Sequence, residues 1–170
     1  MNFRELSKLE EEIGKAIVNA AFKIHNELGP GLLEKVYEVC LAHELRKAGY
    51  DAKRQIDIPI VYDGIQFDEG LRLDLLVNNL VIAELKAIDL VNPVWEPQVI
   101  SHLKLTNLKL GYLINFNVPL IKDGIRRFRN QMKSCHEETK AQSTFFVALC
   151  PCGTTNNVIE VIYIDELEME

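Results

Sequence analysis

The stretch Leu71-Arg72-Leu73-Asp74-Leu75-Leu76-Val77-Asn78-Asn79-Leu80-Val81-Ile82-Ala83-Glu84-Leu85-Lys86 decides the fold. Two apolar runs flank Asn78-Asn79, a pair that tolerates the left-handed backbone of tight hairpins. The segment therefore reads as two strands, 71–77 and 80–86. Leu80, Val81, Ile82 and Ala83 are all apolar, the mark of a central strand covered on both faces. The end of that strand is charged. Glu84 and Lys86 are two apart and share a face, and a buried carboxylate needs a partner or a metal. In an antiparallel hairpin, opposed residues keep a constant sum of numbers. A two-residue turn at Asn78-Asn79 sets Asp74 against Ala83, whereas a three-residue loop from Asn78 to Leu80 sets it against Glu84. We expect the three-residue loop, which gathers Asp74, Glu84 and Lys86.

Working outward, Leu6, Leu9, Ile13, Ala16, Ile17, Ala20, Ile24 and Leu28 recur at three- and four-residue steps, so 5–28 reads as an amphipathic helix. Gly29-Pro30-Gly31 stops it. A second helix, 33–48, closes at Gly49. Ile56, Ile58, Ile60 and Tyr62 alternate as in a strand, Asp63-Gly64 is a hairpin turn, and Pro59 points to a sheet edge. After Asn92-Pro93 come a helix, 96–106, and a buried strand, 110–116. The expected fold class is α/β: helices, a three-stranded antiparallel meander, a crossover helix and a strand. Residues 126–142 are charged enough to read as a short helix or linker. Strands 144–149 and 158–164 then form a hairpin. This gives a domain over 1–129 and an extension over 130–170 packed on it, because about 40 residues is thin for a separate core.

The chain has 170 residues, 48% of them hydrophobic and 26% charged, as in a soluble globular domain. That excludes wholesale disorder and a disulfide miniprotein, and no run is apolar for long enough to span a membrane. Met1 to Glu12 carries acids where an export signal has its apolar core, so the expected location is cytoplasmic. Four cysteines in such a chain read as free thiols. A net charge of −6 argues against a histone-like coat on nucleic acid and leaves a metal-dependent enzyme open.

Two carboxylates beside a lysine suit Mg²⁺ or Mn²⁺, which prefer oxygen ligands, while the lysine orients water or steadies developing charge. The plainer reading of Glu84-Leu85-Lys86 is an ion pair at a strand end. Glu34 stands near a helix start, where the dipole favours an acid, and equally suits a site. Tyr37 completes the apolar stripe of its helix, and Gly31 serves the turn. Cys135-His136 and Cys150-Pro151-Cys152 do not match zinc-ribbon spacing. Lys104, Lys109, Lys122, Arg126, Arg127, Arg129 and Lys133 form a phosphate path or a solvated face. No phosphate-binding glycine loop, serine elbow or dinucleotide fingerprint is present.

Gly31-Leu32-Leu33-Glu34-Lys35-Val36-Tyr37, Arg72-Leu73-Asp74, Glu84-Leu85-Lys86, Gln98 and Gly111-Tyr112-Leu113-Ile114-Asn115-Phe116 occur in the order that characterises the GxxExxY family. The chain resembles that family over roughly residues 8–129. The family is similar to a branch of the PD-(D/E)XK nucleases, whose core runs helix, three strands, helix, strand. The resemblance implies a restriction-endonuclease-like fold that hydrolyses phosphodiester bonds in nucleic acid, DNA before RNA. It implies Asp74 and Glu84 as ligands of Mg²⁺ or Mn²⁺, Lys86 as the catalytic lysine and Glu34 as an accessory acid. Gln98 would contact DNA or orient the site, and His25 would be a further helix-borne ligand. Two departures stand out: Leu73 replaces the proline before the aspartate, and His102 occupies the tyrosine position that follows Gln98. The alternative is a non-catalytic nucleic-acid-binding or protein-interaction module on the same fold.

Overall fold

A capping box starts the first helix: Ser7 accepts from the Glu10 amide at 3.2 Å, and Glu10 accepts from the Ser7 amide at 2.6 Å. In the computed structural model, which describes residues 5–90, 92–131 and 158–163, this helix is α1 (Lys8–Leu28). α2 (Glu34–Lys47) follows the Gly29-Pro30-Gly31 turn. Gly29 (φ 67°) and Gly31 (φ 98°) take a backbone that residues with a Cβ rarely adopt. Tyr37 locks this turn. Its hydroxyl donates to the Gly29 carbonyl at 2.7 Å and accepts from the Leu32 amide at 3.1 Å. Its ring, fully buried, stacks on Phe116 with centroids 4.4 Å apart.

The sheet runs β1 (Ala52–Tyr62), β2 (Ile65–Val77), β3 (Val81–Lys86), β4 (Leu110–Asn115), β5 (Ile125–Gln131) and β6 (Val158–Tyr163), neighbours in space as in sequence. Every pairing is antiparallel except β3 with β4. A parallel pair needs a long crossover, and α3 (Trp95–Thr106) supplies it. α4 (Ile121–Gly124) is one turn before β5. Alternation in β3 feeds two cores. Val81, Ala83 and Leu85 pack with Ile13, Ile17, Leu41 and Leu45 of α1 and α2. Ile82 packs on the other face with Val99 and Leu103 of α3. Glu84 and Lys86 follow Ile82 by twos, so β3 is covered on both faces up to the charged end.

Pro59 stands in β1, at the sheet edge, as expected. The first hairpin is longer than its hydrophobic pattern suggests, since β1 begins at Ala52 and β2 at Ile65. Its outer part extends past β3, which pairs only with Leu75 to Val77. Strand residues there need no apolar face, so alternation fades. The charged stretch from Arg126 is neither helix nor linker as far as Gln131: it is β5, antiparallel to β4. Two of its arginines mislead because they are matched. Arg127 bonds both Glu11 oxygens at 2.7 and 2.8 Å, Arg126 pairs with Glu96, and Ile125 and Phe128 carry the burial. Residues 158–163 join the sheet through β5. The expected strand 144–149 lies outside the described residues. Among those described, no helix is long and apolar enough to cross a membrane.

Tyr37→Phe keeps the stack on Phe116 and deletes both hydroxyl bonds to the turn. Urea unfolding should show a loss of about 1–2 kcal/mol. An unchanged midpoint would mean that the hydroxyl does not hold the turn.

Candidate active site

The site is built where β2 and β3 part. Leu75 pairs with Ala83, Leu76 with Ile82 and Val77 with Val81. The loop is thus the three-residue one, with Asn78 (φ 50°) and Asn79 (φ 56°) left-handed and the Leu80 amide donating to the Val77 carbonyl at 2.9 Å. One step further this register sets Asp74 against Glu84. The ladder stops there. The Leu85 amide instead donates to Oδ2 of Asp74 at 2.9 Å, so a side chain takes the place of backbone pairing as β2 turns away with β1.

Glu84 is the centre. It is 2% exposed, and its Oε1 accepts from Lys86 Nζ at 2.6 Å and from Gln98 Nε2 at 2.7 Å. Its Oε2 is buried without a hydrogen bond among the described residues. His102 Nδ1, equally unpartnered, lies 3.5 Å from it. Gln98 and His102 are four apart on α3 and so project from one face. Gly111 lets that helix sit close to the sheet, since a Cβ there would stand 3.2–3.3 Å from Val99 and Leu103.

Burial, helped by the charge of Asp74 and opposed by Lys86, pushes the Glu84 carboxyl up to about 7. Asp74 is also raised by burial, against the pull of the Leu85 amide and Lys86. Glu34, half-buried at the start of α2, is raised by burial and by the charges of Asp74 and Glu38, with Lys86 opposing. Burial and Lys86 lower His102 to about 4. The histidine is therefore neutral near pH 7, and its contact with Glu84 is not an ion pair despite the short distance.

Asp74, Glu84, Lys86 and Gln98 meet as the sequence suggests, with Glu34 facing them from α2 at electrostatic range. His25 is engaged elsewhere: its Nε2 lies 2.8 Å from the Val118 carbonyl, to which it can only donate. Several of the basic residues considered as a phosphate path are spent in ion pairs. Lys109 holds Glu10 at 3.0 Å, while Arg127 and Arg126 hold Glu11 and Glu96. Cys135, His136, Cys150 and Cys152 lie outside the described residues, and Cys40 packs beside the α1–α2 core. Sequence reading missed a second layer. Glu38 is 5% exposed and accepts from Arg54 Nε at 2.6 Å and Gln55 Nε2 at 2.7 Å. The same Gln55 nitrogen lies 3.4 Å from Asp74 Oδ1. Glu38 was legible as the residue one turn after Glu34, and His102 as one turn after Gln98. Nothing in the sequence marks Gln55.

The donor set suits a hard divalent cation: carboxylate oxygens, one of them buried and unbonded, with mutual repulsion for a cation to relieve. Among the described residues no three His, Cys, Asp or Glu side chains are already gathered as a metal cluster. Two acids converge, and Lys86 pairs with one of them, Glu84, at 2.6 Å.

A family model described as PD-(D/E)XK nuclease superfamily matches residues 11–128. The chain belongs to that superfamily. No curated protein and no solved structure matches it. The matched span runs from α1 to β5, and the mixed sheet with flanking helices is consistent with a restriction-endonuclease-like fold. PD-(D/E)XK membership carries nuclease activity in general, a nucleic-acid substrate and general dependence on a divalent metal.

The Glu84 shift predicts a pH signature in the metal-free PD-(D/E)XK domain. Between about 4.5 and about 7 the folded carboxyl holds a proton that the unfolded one has lost, so stability falls as pH rises through that window. His102 acts oppositely between about 4 and 6.5, being protonated only when unfolded. Comparison with Glu84→Gln isolates the first effect. In EDTA, the variant's stability relative to wild type should climb by roughly 2–3 kcal/mol from pH 4.5 to 7 and then level off. A difference that stays flat would refute the buried-carboxylate assignment.

Proposed function

We propose that the chain hydrolyses phosphodiester bonds in nucleic acid, DNA before RNA, using Mg²⁺ or Mn²⁺ bound by Asp74 and Glu84 with Glu34 as an accessory acid. The observation that carries this reading is the buried, unbonded Oε2 of Glu84 beside a second acid and a lysine. The sequence Gly31-x-x-Glu34-x-x-Tyr37 supports placement in the GxxExxY branch.

When bound, the cation polarises a phosphodiester oxygen and acidifies water. The protein's own groups do the rest. The Leu85 amide pins Oδ2 of Asp74, and Oδ1 has only the longer contact with Gln55 Nε2 at 3.4 Å. Gln98 fixes the Glu84 carboxylate through Oε1, which leaves Oε2 available as a ligand. Lys86, only 12% exposed in its side chain, lies beside the acids with its Nζ on Glu84 Oε1 at 2.6 Å. Its ammonium, beside the two acids that would hold the cation, would orient water and steady charge on the phosphate. Glu34 couples to Asp74 and Lys86 through charge. The alternative, a non-catalytic protein-interaction module, draws support from the ion pairing of Lys109, Arg126 and Arg127, which leaves less basic surface for nucleic acid.

Purified protein with Mn²⁺ should nick or degrade DNA, and EDTA should stop it. Lys86→Ala should lower turnover by about 100-fold or more while leaving Mn²⁺ binding largely intact, since the lysine acts on water and charge. Asp74→Ala should remove Mn²⁺ binding itself, read by calorimetry. Should the wild type bind Mn²⁺ and leave every DNA and RNA substrate uncut, the interaction-module reading replaces this one.

A further inference from the structure

Gln55 is the residue whose geometry neither packing nor the superfamily explains. It stands in β1 between Arg54, paired with Leu75, and Ile56, paired with Leu73, which sets it opposite Asp74. Its φ is +53°, within a strand. A non-glycine residue held there carries strain, and such strain persists only where surrounding contacts enforce it. The contacts are two acids. Its side-chain nitrogen is 2.7 Å from Glu38 Oε2 and 3.4 Å from Asp74 Oδ1. Ionised carboxylates only accept hydrogen bonds, so the amide must turn its NH₂ toward both. Arg54, the preceding residue, fixes the other oxygen of Glu38 at 2.6 Å. Glu38 is thus held on both oxygens, and Gln55 passes that fixed position on to Asp74.

Resting on the metal-site reading above, we propose that Gln55 is a positioning residue, its left-handed backbone placing one amide between Glu38 and Asp74 so that Asp74 is held in the orientation a divalent cation requires. With Oδ2 committed to the Leu85 amide, Gln55 governs the remaining oxygen. The residue does not touch the reacting atoms. It acts through Asp74, as outer partners of metal ligands do.

Gln55→Gly makes the test direct, because glycine tolerates the backbone while the amide is removed. Gln55→Leu removes the amide and keeps the strain. Mn²⁺ titration by calorimetry, with thermal melts in EDTA, reads affinity and folding separately. We expect Gln55→Gly to melt no lower than wild type and yet bind Mn²⁺ about 10- to 100-fold more weakly at unchanged stoichiometry. Gln55→Leu should show the same weakening and a lower melting temperature. The inference is overturned if Gln55→Gly binds Mn²⁺ as tightly as wild type, or if its weakening only tracks a lost folded fraction. If the wild type itself binds no Mn²⁺, the metal-site reading fails and takes this one with it. Wild-type binding with an unaffected Gln55→Gly sinks the Gln55 role alone.

Discussion

Glu84 is a carboxylate at the end of a strand that the rest of the fold buries on both faces. Moving an ionised carboxyl out of water is costly unless it is paired and bonded. Much of the surrounding geometry answers that cost. β3 and β4 are parallel, so α3 must cross over, and the crossover brings Gln98 onto Glu84. Lys86 reaches back two residues to the same oxygen. The other oxygen is left without a bond. Such an imbalance is poor design for a purely structural ion pair, since replacing a whole buried pair by well-packed apolar residues is often neutral or stabilising. It is sound design for a ligand.

The divergence of β2 from β3 is the second constraint. A continuous ladder would pair backbone with backbone beside Glu84 and leave no opening. Breaking it at Asp74 substitutes a carboxylate for a main-chain acceptor on Leu85. The departing strand then continues with β1 as a two-stranded arm. α2 closes the opposite side, anchored through Tyr37 on Phe116, so that Glu34 and Glu38 face the gap from successive turns. Four acids and one lysine thus form one electrostatically coupled group. Asp74 and Glu34 act on Glu84 through charge, and Lys86 and Gln98 act through direct bonds.

Most of this architecture was legible in the sequence. The all-apolar 80–83 pointed to a central strand, whereas Asn78-Asn79 allowed a two- or a three-residue turn. The expected three-residue loop, chosen because asparagine tolerates its backbone and because it gathers the acids, is the one observed. The spacing of Glu84 and Lys86 gave their common face. Two things were hidden, for different reasons. Composition made β5 look like a charged linker, because Arg126 and Arg127 find Glu96 and Glu11 on separate helices, pairings that no local pattern encodes. The layer of Glu38, Arg54 and Gln55 depends on a left-handed residue inside a strand, where nothing about glutamine announces such a backbone. His25 shows the converse. A lone helix histidine suggests a ligand by resemblance, yet its ring meets the Val118 carbonyl, a contact set by how the chain returns after β4.

The account stands on the claim that Glu84 and Asp74 share one cation in place of the Lys86 ammonium. A Mn²⁺-soaked crystal recorded at the manganese absorption edge tests it directly. The account predicts one anomalous peak about 2.1 Å from Glu84 Oε2 and from an Asp74 oxygen, with Lys86 Nζ moved off Glu84 Oε1. No peak between these two acids, with the Lys86–Glu84 contact intact at full Mn²⁺ concentration, would contradict it.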